Sequence, residues 1–108
     1  MQYNKRAKNV FGSEVRPRLT VYRGLKNVYT QIINDEKGFT LVAASSLDKE
    51  MGGKKNINIE LAKKVGQSLA KKAKAKGIVK VVFDRRDRPY HGIIKAVAEG
   101  ARAEGLIF

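Results

Sequence analysis

From Arg18 onward the chain alternates. Leu19 and Val21 are interleaved with Arg18, Thr20 and Tyr22, and after residues 24–27 the alternation resumes, with Val28, Thr30 and Ile32 on one side and Tyr29, Gln31 and Ile33 on the other. A period of two is the mark of a strand with one buried and one open face. Strands are therefore expected over residues 18–23 and 28–34, the first presenting Thr20 and Tyr22 outward. Asn34-Asp35-Glu36-Lys37-Gly38 has the composition of a tight turn ending in glycine, and residues 39–46 give a third, weaker alternation. Short turns between successive strands predict an antiparallel meander.

The period then changes. Residues 47–55 read as a polar loop. Asn58 suits a helix N-cap and Glu60 a helical first turn, while Leu61, Ala62, Val65, Leu69 and Ala73 recur at helical spacing up to Gly77. Residues 78–83 form a short, almost continuous apolar run, the pattern of a strand buried on both faces and, being reached through a helix, paired parallel to an earlier strand. Residues 84–90 read as a charged loop and residues 91–104 as a second helix, with Ile94, Val97, Ala98 and Ala101 inward and Gly105 as its cap. Leu106-Ile107-Phe108 should tuck onto the core. The order βββαβα predicts a mixed α/β (α+β) fold: a three-stranded antiparallel meander plus one parallel strand, both helices on one face, resembling a truncated ribonuclease-H-like fold. Residues 1–15 lack periodicity and are expected to be a flexible basic arm, leaving residues 16–108 as a single domain.

Charge turns this architecture towards a function. Twenty-three Lys and Arg against ten Asp and Glu leave a formal +13 on 108 residues. Such a field repels copies of the chain and attracts polyanions. The charge is also segregated: seven of the cations and only Glu14 among the acids lie in residues 1–26, and nine lysines against Glu60 lie in residues 54–80. Lys63, Lys64, Lys71, Lys72, Lys74 and Lys76 mostly avoid the apolar stripe of the first helix and form a basic face, which suits solvation as well as RNA contact. Residues 1–8 are polar and charged, with no apolar segment behind them, so a cytoplasmic location is expected.

Candidate chemistry is sparse. No cysteine is present, which excludes disulfides and thiolate metal sites, and His91 is the only histidine. No serine sits in a nucleophile-elbow setting, and no His/Asp/Glu cluster has metal-ligand spacing. A two-metal nuclease on a ribonuclease-H-like frame would need carboxylates on adjacent central strands. The first strand carries arginines instead, and Asp84 stands among Arg85, Arg86 and Arg88. Gly52-Gly53-Lys54 lacks the strand and spacing of a phosphate loop and reads as a connection. No catalytic residue, cofactor or metal is expected.

What remains is cations interleaved with aromatics. Arg16, Arg18, Tyr22, Arg23 and Lys26 lie along the first strand and its turn, with Tyr29 and Gln31 beside them. Arg85, Arg88, Tyr90 and His91 form a second cluster before the last helix. Arginine forks grip phosphates, and aromatic rings stack on unpaired bases. With Lys5, Arg6 and Lys8 of the arm and Lys95 of the second helix, these are the candidate RNA-binding residues. RNA is favoured over DNA because no helix-turn-helix, zinc finger or zipper is present to enter a major groove.

The same stretches resemble the large-subunit ribosomal protein L18 family in its bacterial form. The resemblance runs through residues 16–23, Val28-Tyr29-Thr30-Gln31-Ile32-Ile33, residues 41–50, Ala62-Lys63-Lys64-Val65-Gly66, Val81-Val82-Phe83-Asp84-Arg85, Tyr90-His91-Gly92 and the closing Gly105-Leu106-Ile107-Phe108. It implies a non-enzymatic protein that binds 5S rRNA and helps anchor it to 23S rRNA in the central protuberance, among neighbouring ribosomal proteins and as a monomer off the ribosome. It also implies RNA contact by the arm, by the first two strands and by the loop before the last helix. The chain departs from the family pattern in a shorter, less arginine-rich arm, in Gly24-Leu25, in Arg86-Asp87-Arg88 where a glycine-rich turn is usual, and in Ile93 at a position often held by arginine. The alternative is a general RNA-binding protein outside the ribosome.

Overall fold

A computed structural model describes residues 11–24, 26–51, 57–84 and 92–108. Four strands form one sheet: β1 (Arg18–Arg23), β2 (Val28–Asn34), β3 (Phe39–Ser45) and β4 (Val82–Asp84), in the order β3-β2-β1-β4. β1 and β2, and β2 and β3, run antiparallel; β4 runs parallel to β1. Two helices, α1 (Ile59–Ala75) and α2 (Gly92–Ala103), complete the mixed α/β fold.

Period-two patterning decides which face of the sheet is covered. Leu19, Val21, Val28 and Ile32 are fully buried and join Val42 and Ala44 of β3 against Val65, Leu69 and Ala73 of α1 and Val97 and Ala101 of α2. Burying each large aliphatic side chain contributes about 1.5–3 kcal/mol. Tyr29 and Gln31 of β2 point the other way and are exposed. Thr20 departs from the outward reading. Although it alternates with Leu19 and Val21, it is buried, because β1 is an inner strand on which Gln31 and Asp84 flank it from both sides. Its hydroxyl has no hydrogen-bond partner among the described residues.

Local signals set the helix ends. Asn58 caps α1, its side-chain oxygen accepting from the Leu61 N–H at 2.8 Å. At the other end Gly77 takes a positive φ of 81° and the Ile78 N–H donates to Ala73 O; α2 ends in the same way, with Gly105 at φ 110° and the Leu106 N–H on Ala101 O. Both closures are Schellman-type. Between the helices the backbones nearly touch: a Cβ added at Gly66 would lie 2.1 Å from Val97 O, and one at Gly100 2.2 Å from Lys63 O. The inward face of α2 is correspondingly broader than the expected stripe and includes Ile93, Ala96 and Gly100.

The apolar run at 78–83 is not one strand buried on both faces. Its first half pairs with the C-terminal tail, the Val81 N–H donating to Ile107 O and the Ile107 N–H to Val79 O. Only Val82–Asp84 joins β1, at the end of the sheet, where Val82 and Phe83 are half-buried. Phe108 stacks on Phe83 at 5.4 Å between ring centroids, the Arg102 guanidinium carbon lies 4.4 Å from the Phe108 centroid, and Leu106 is buried. The polar loop after β3 contains a short 3₁₀ turn, Lys49–Met51. Residues 12–16, of which the stretch to residue 15 was expected to belong to a flexible arm, are hydrogen-bonded to the β2–β3 turn and to one another: Gly12 exchanges bonds with Asp35, and the Glu14 N–H donates to Glu36.

Candidate nucleic-acid interface

The uncovered face of the sheet is built from cross-strand pairs. Register places Tyr22 opposite Tyr29, Thr20 opposite Gln31, and Arg18 opposite Ile33. The two tyrosine rings lie 6.1 Å apart at 33°, half-exposed, and form a tilted aromatic surface beside the β1–β2 turn. Gln31 is exposed next to them, with Ala43 and Ser45 continuing the face onto β3. Arg23, the last residue of β1, pairs with Val28 and so belongs to the alternate side of the strand, yet at the strand's end it is exposed; Lys26 is exposed in the turn itself.

That end of the sheet is held firmly. The Gly24 N–H donates to Asn27 O, and Ser46 Oγ accepts from the Val28 N–H and bonds Asn27 Oδ1. Thr30 closes the β2–β3 seam by donating to Ala44 O at 2.8 Å. Tyr22, Arg23 and Tyr29 thus project from strand ends that these hydrogen bonds tie together.

At the opposite end the candidate Arg18 sits in a different setting. Its Nε and Nη2 donate to the two oxygens of Asp35 at 2.8 and 3.0 Å, and its Nη1 donates to Asp84 at 3.0 Å. The hydrogen bond from Arg18 holds the Asp35 carboxyl below its ordinary value of 3.8, and the Gly12 N–H adds to the effect against the opposing cost of burial. The Arg18 guanidinium is in turn held above its ordinary value, first by the hydrogen bond to Asp35. The sequence reading missed this cluster. The alternation identifies β1, but only the register shows that the turn after β2 and the end of a parallel neighbour both bring carboxylates to Arg18.

The remaining candidates are dispersed. Arg16 is exposed one residue before the buried Pro17. Lys95 stands on α2, in the helical layer, with Nζ 4.0 Å from Glu99. Lys5, Arg6, Lys8, Arg85, Arg88, Tyr90 and His91 lie outside the described residues, as does Gly52-Gly53-Lys54. The basic face of α1 is partly engaged within the protein: Lys72 and Lys76 donate to Ala43 O and Leu41 O of β3, and Lys74 donates to Glu104 O. Ile93 is buried in the core. Among the described residues no group of three or more His, Cys, Asp or Glu could hold a metal ion, and no helix is long and apolar enough to cross a membrane.

Fold and face together define a small, strongly basic α/β protein with one sheet surface that the described residues leave uncovered. Comparison with known proteins gives that class a family. Residues 2–108 match the profile described as ribosomal L18 of archaea, bacteria, mitochondria and chloroplast. The chain is 52% identical to large ribosomal subunit protein uL18 of Caldicellulosiruptor saccharolyticus, across the whole chain and 89% of that protein. It is 54% identical to the same protein of Desulfitobacterium hafniense strain DCB-2, covering 100% of the chain and 91% of the relative, and 56% identical to that of Clostridium tetani over 94% and 84%. This chain belongs to the ribosomal protein L18 family, a family of ribosomal proteins and not of enzymes.

Proposed function

We propose that the chain is a structural protein of the large ribosomal subunit that binds 5S rRNA and helps attach it to 23S rRNA in the central protuberance, alongside neighbouring ribosomal proteins. The observation that carries the RNA-binding reading is the Tyr22–Tyr29 pair on the uncovered sheet face, with Arg23 and Lys26 at the same end. Rings of this kind stack on unpaired bases, while the cations engage phosphates and the preformed sheet supplies shape. Similarity over the whole chain, at 52% and 54% identity, to proteins named large ribosomal subunit protein uL18 supports the ribosomal setting. The strand order, with a parallel β4 beside β1, supports reading the fold as a truncated ribonuclease-H-like frame with no carboxylate on β1. High net charge supports a monomer off the ribosome, in the cytoplasm.

The test is binding to labelled 5S rRNA across a salt series, against a length-matched unrelated structured RNA. A preference for 5S rRNA that persists at physiological salt, with a log–log slope of magnitude about 3 or more, is the expected result. Equal affinity for the two RNAs, collapsing together with salt, would leave only a general RNA-binding protein.

A further inference from the structure

Arg18 opens β1 directly after the buried Pro17, and its side chain is only 19% exposed. Three of its donors are occupied by two carboxylates, Asp35 and Asp84. Asp35 also accepts the Gly12 N–H at 2.7 Å, and its own N–H donates to Gly12 O at 2.8 Å. One guanidinium therefore joins three stretches of chain: the approach to β1, the turn between β2 and β3, and the last residue of β4.

Charge and geometry argue together. Among the described residues the cluster holds one cation and two anions, so Arg18 offers a phosphate no surplus of positive charge there. Were Arg18 to swing out to grip RNA, it would forfeit three charge-assisted hydrogen bonds and leave the Asp35 carboxylate without its guanidinium close to a polyanion. Among the described residues nothing similar restrains Arg23 at the far end of the same strand, where the residue is exposed.

We infer that Arg18, despite standing in the basic segment that faces RNA, is a positioning residue and not a phosphate ligand: with Asp35 and Asp84 it fixes where the chain enters β1 and leaves β4. The inference rests on the RNA-binding function proposed above and deepens it. It has an unusual consequence. Neutralising an acid on a basic RNA-binding protein ordinarily tightens binding, whereas neutralising Asp35 should weaken it, because the entry of the chain is released.

The experiment uses the full chain and three variants, Asp35→Asn, Arg18→Lys and, as control, Arg23→Gln. Two readouts are taken: 5S rRNA affinity across a salt series, and hydrogen exchange at the Gly12 amide. Asp35→Asn is expected to bind several-fold more weakly although it gains a unit of positive charge, with faster Gly12 exchange. Arg18→Lys keeps the charge but loses the planar fork. It should show the same pair of changes, with a salt slope equal to that of the parent, whereas Arg23→Gln should lower the slope by about one and leave Gly12 unchanged. Tighter binding by Asp35→Asn, or parental affinity and parental Gly12 exchange in Arg18→Lys, would overturn the inference. If the parent shows no preference for 5S rRNA, the proposed function fails, while Gly12 exchange and the slope on any structured RNA still decide the role of Arg18.

Discussion

Arg18 and Arg23 begin and end the same six-residue strand, and their surroundings differ in kind. Around Arg18 the sequence gathers acids: Asp35 and Asp84 bind its guanidinium, and Glu36 accepts the Glu14 N–H nearby. Around Arg23 it gathers Tyr22, Tyr29 and Lys26, with no acid in the turn. A formal count gives each arginine one positive charge to offer, but at the first the charge is already neutralised within the protein and at the second it projects into solvent. Net charge attracts RNA to such a molecule, whereas the register of the sheet decides which of its cations are available to meet it.

The largest effect is expected from failure of the scaffold that holds both ends. Gly66→Ala or Gly100→Ala would drive a methyl group to within 2.1–2.2 Å of a backbone oxygen on the facing helix. A backbone oxygen cannot swing aside as a side chain can, so the helices must separate. The expected cost is about 3 kcal/mol or more, at or above the upper end for overpacking. Urea unfolding should show it, and RNA binding and Gly12 protection should fall together. Unchanged stability would mean that the helices can re-pack without these close approaches.

Next in size is the loss of the tyrosine end alone. Replacing Tyr22 and Tyr29 by alanine removes two half-exposed rings from facing positions of β1 and β2, next to hydrogen bonds made by Asn27, Ser46 and backbone groups. Each stacked base is worth about 1–3 kcal/mol, so affinity for 5S rRNA should fall by at least roughly tenfold for the pair. The melting temperature should move little. Retained affinity would remove the aromatic surface from the interface and with it the main support for the proposed mode of binding.

The contrast between the two ends also separates what was legible in the sequence from what was not. Alternation showed that Leu19, Val21 and Ile32 face the core and that Tyr29 and Gln31 face away, because a strand's period is fixed by backbone geometry. Asn58, Gly77 and Gly105 were legible for the same reason: caps depend on a few adjacent residues. The Arg18 cluster depends on residues 17 and 66 positions away, and no local pattern reports a pairing register. The apolar run at 78–83 misled because a run says that side chains are apolar but not which partner each half will take; the tail at Ile107 took the first half. The Gly66–Gly100 approach was equally hidden, since a glycine inside a helical pattern does not say which other helix it will meet.

Acid offers a milder way to open the Arg18 end while leaving the other intact. Arg18 holds the Asp35 carboxyl below 3.8, so the folded state binds this proton less readily than the unfolded chain does. The stability so gained is fully present above the ordinary carboxylate value and is lost as pH falls through the depressed one. Urea unfolding of the parent and of Asp35→Asn should therefore differ by a constant amount between pH 7 and about 5, begin to converge below about pH 4 and meet only below the depressed value. A difference that persists undiminished at the most acidic pH would show that the Asp35 carboxylate does not contribute through its charge. Arg18 stays charged throughout.

The smallest expected effect is the most direct reading of the contrast. Arg23→Gln and Lys26→Gln each remove one exposed cation from the tyrosine end, and neither side chain takes part in the hydrogen bonds that fix the turn. If each neutralises one phosphate, each should lower the magnitude of the log–log salt slope by about one while leaving stability within about 0.5 kcal/mol of the parent. At high salt the variants and the parent should converge in affinity, because what was lost is counterion release and not shape. A drop in affinity that survives at high salt would mean that Arg23 or Lys26 reads a base edge or a ribose, and the tyrosine end would then supply specificity through its cations as well as its rings.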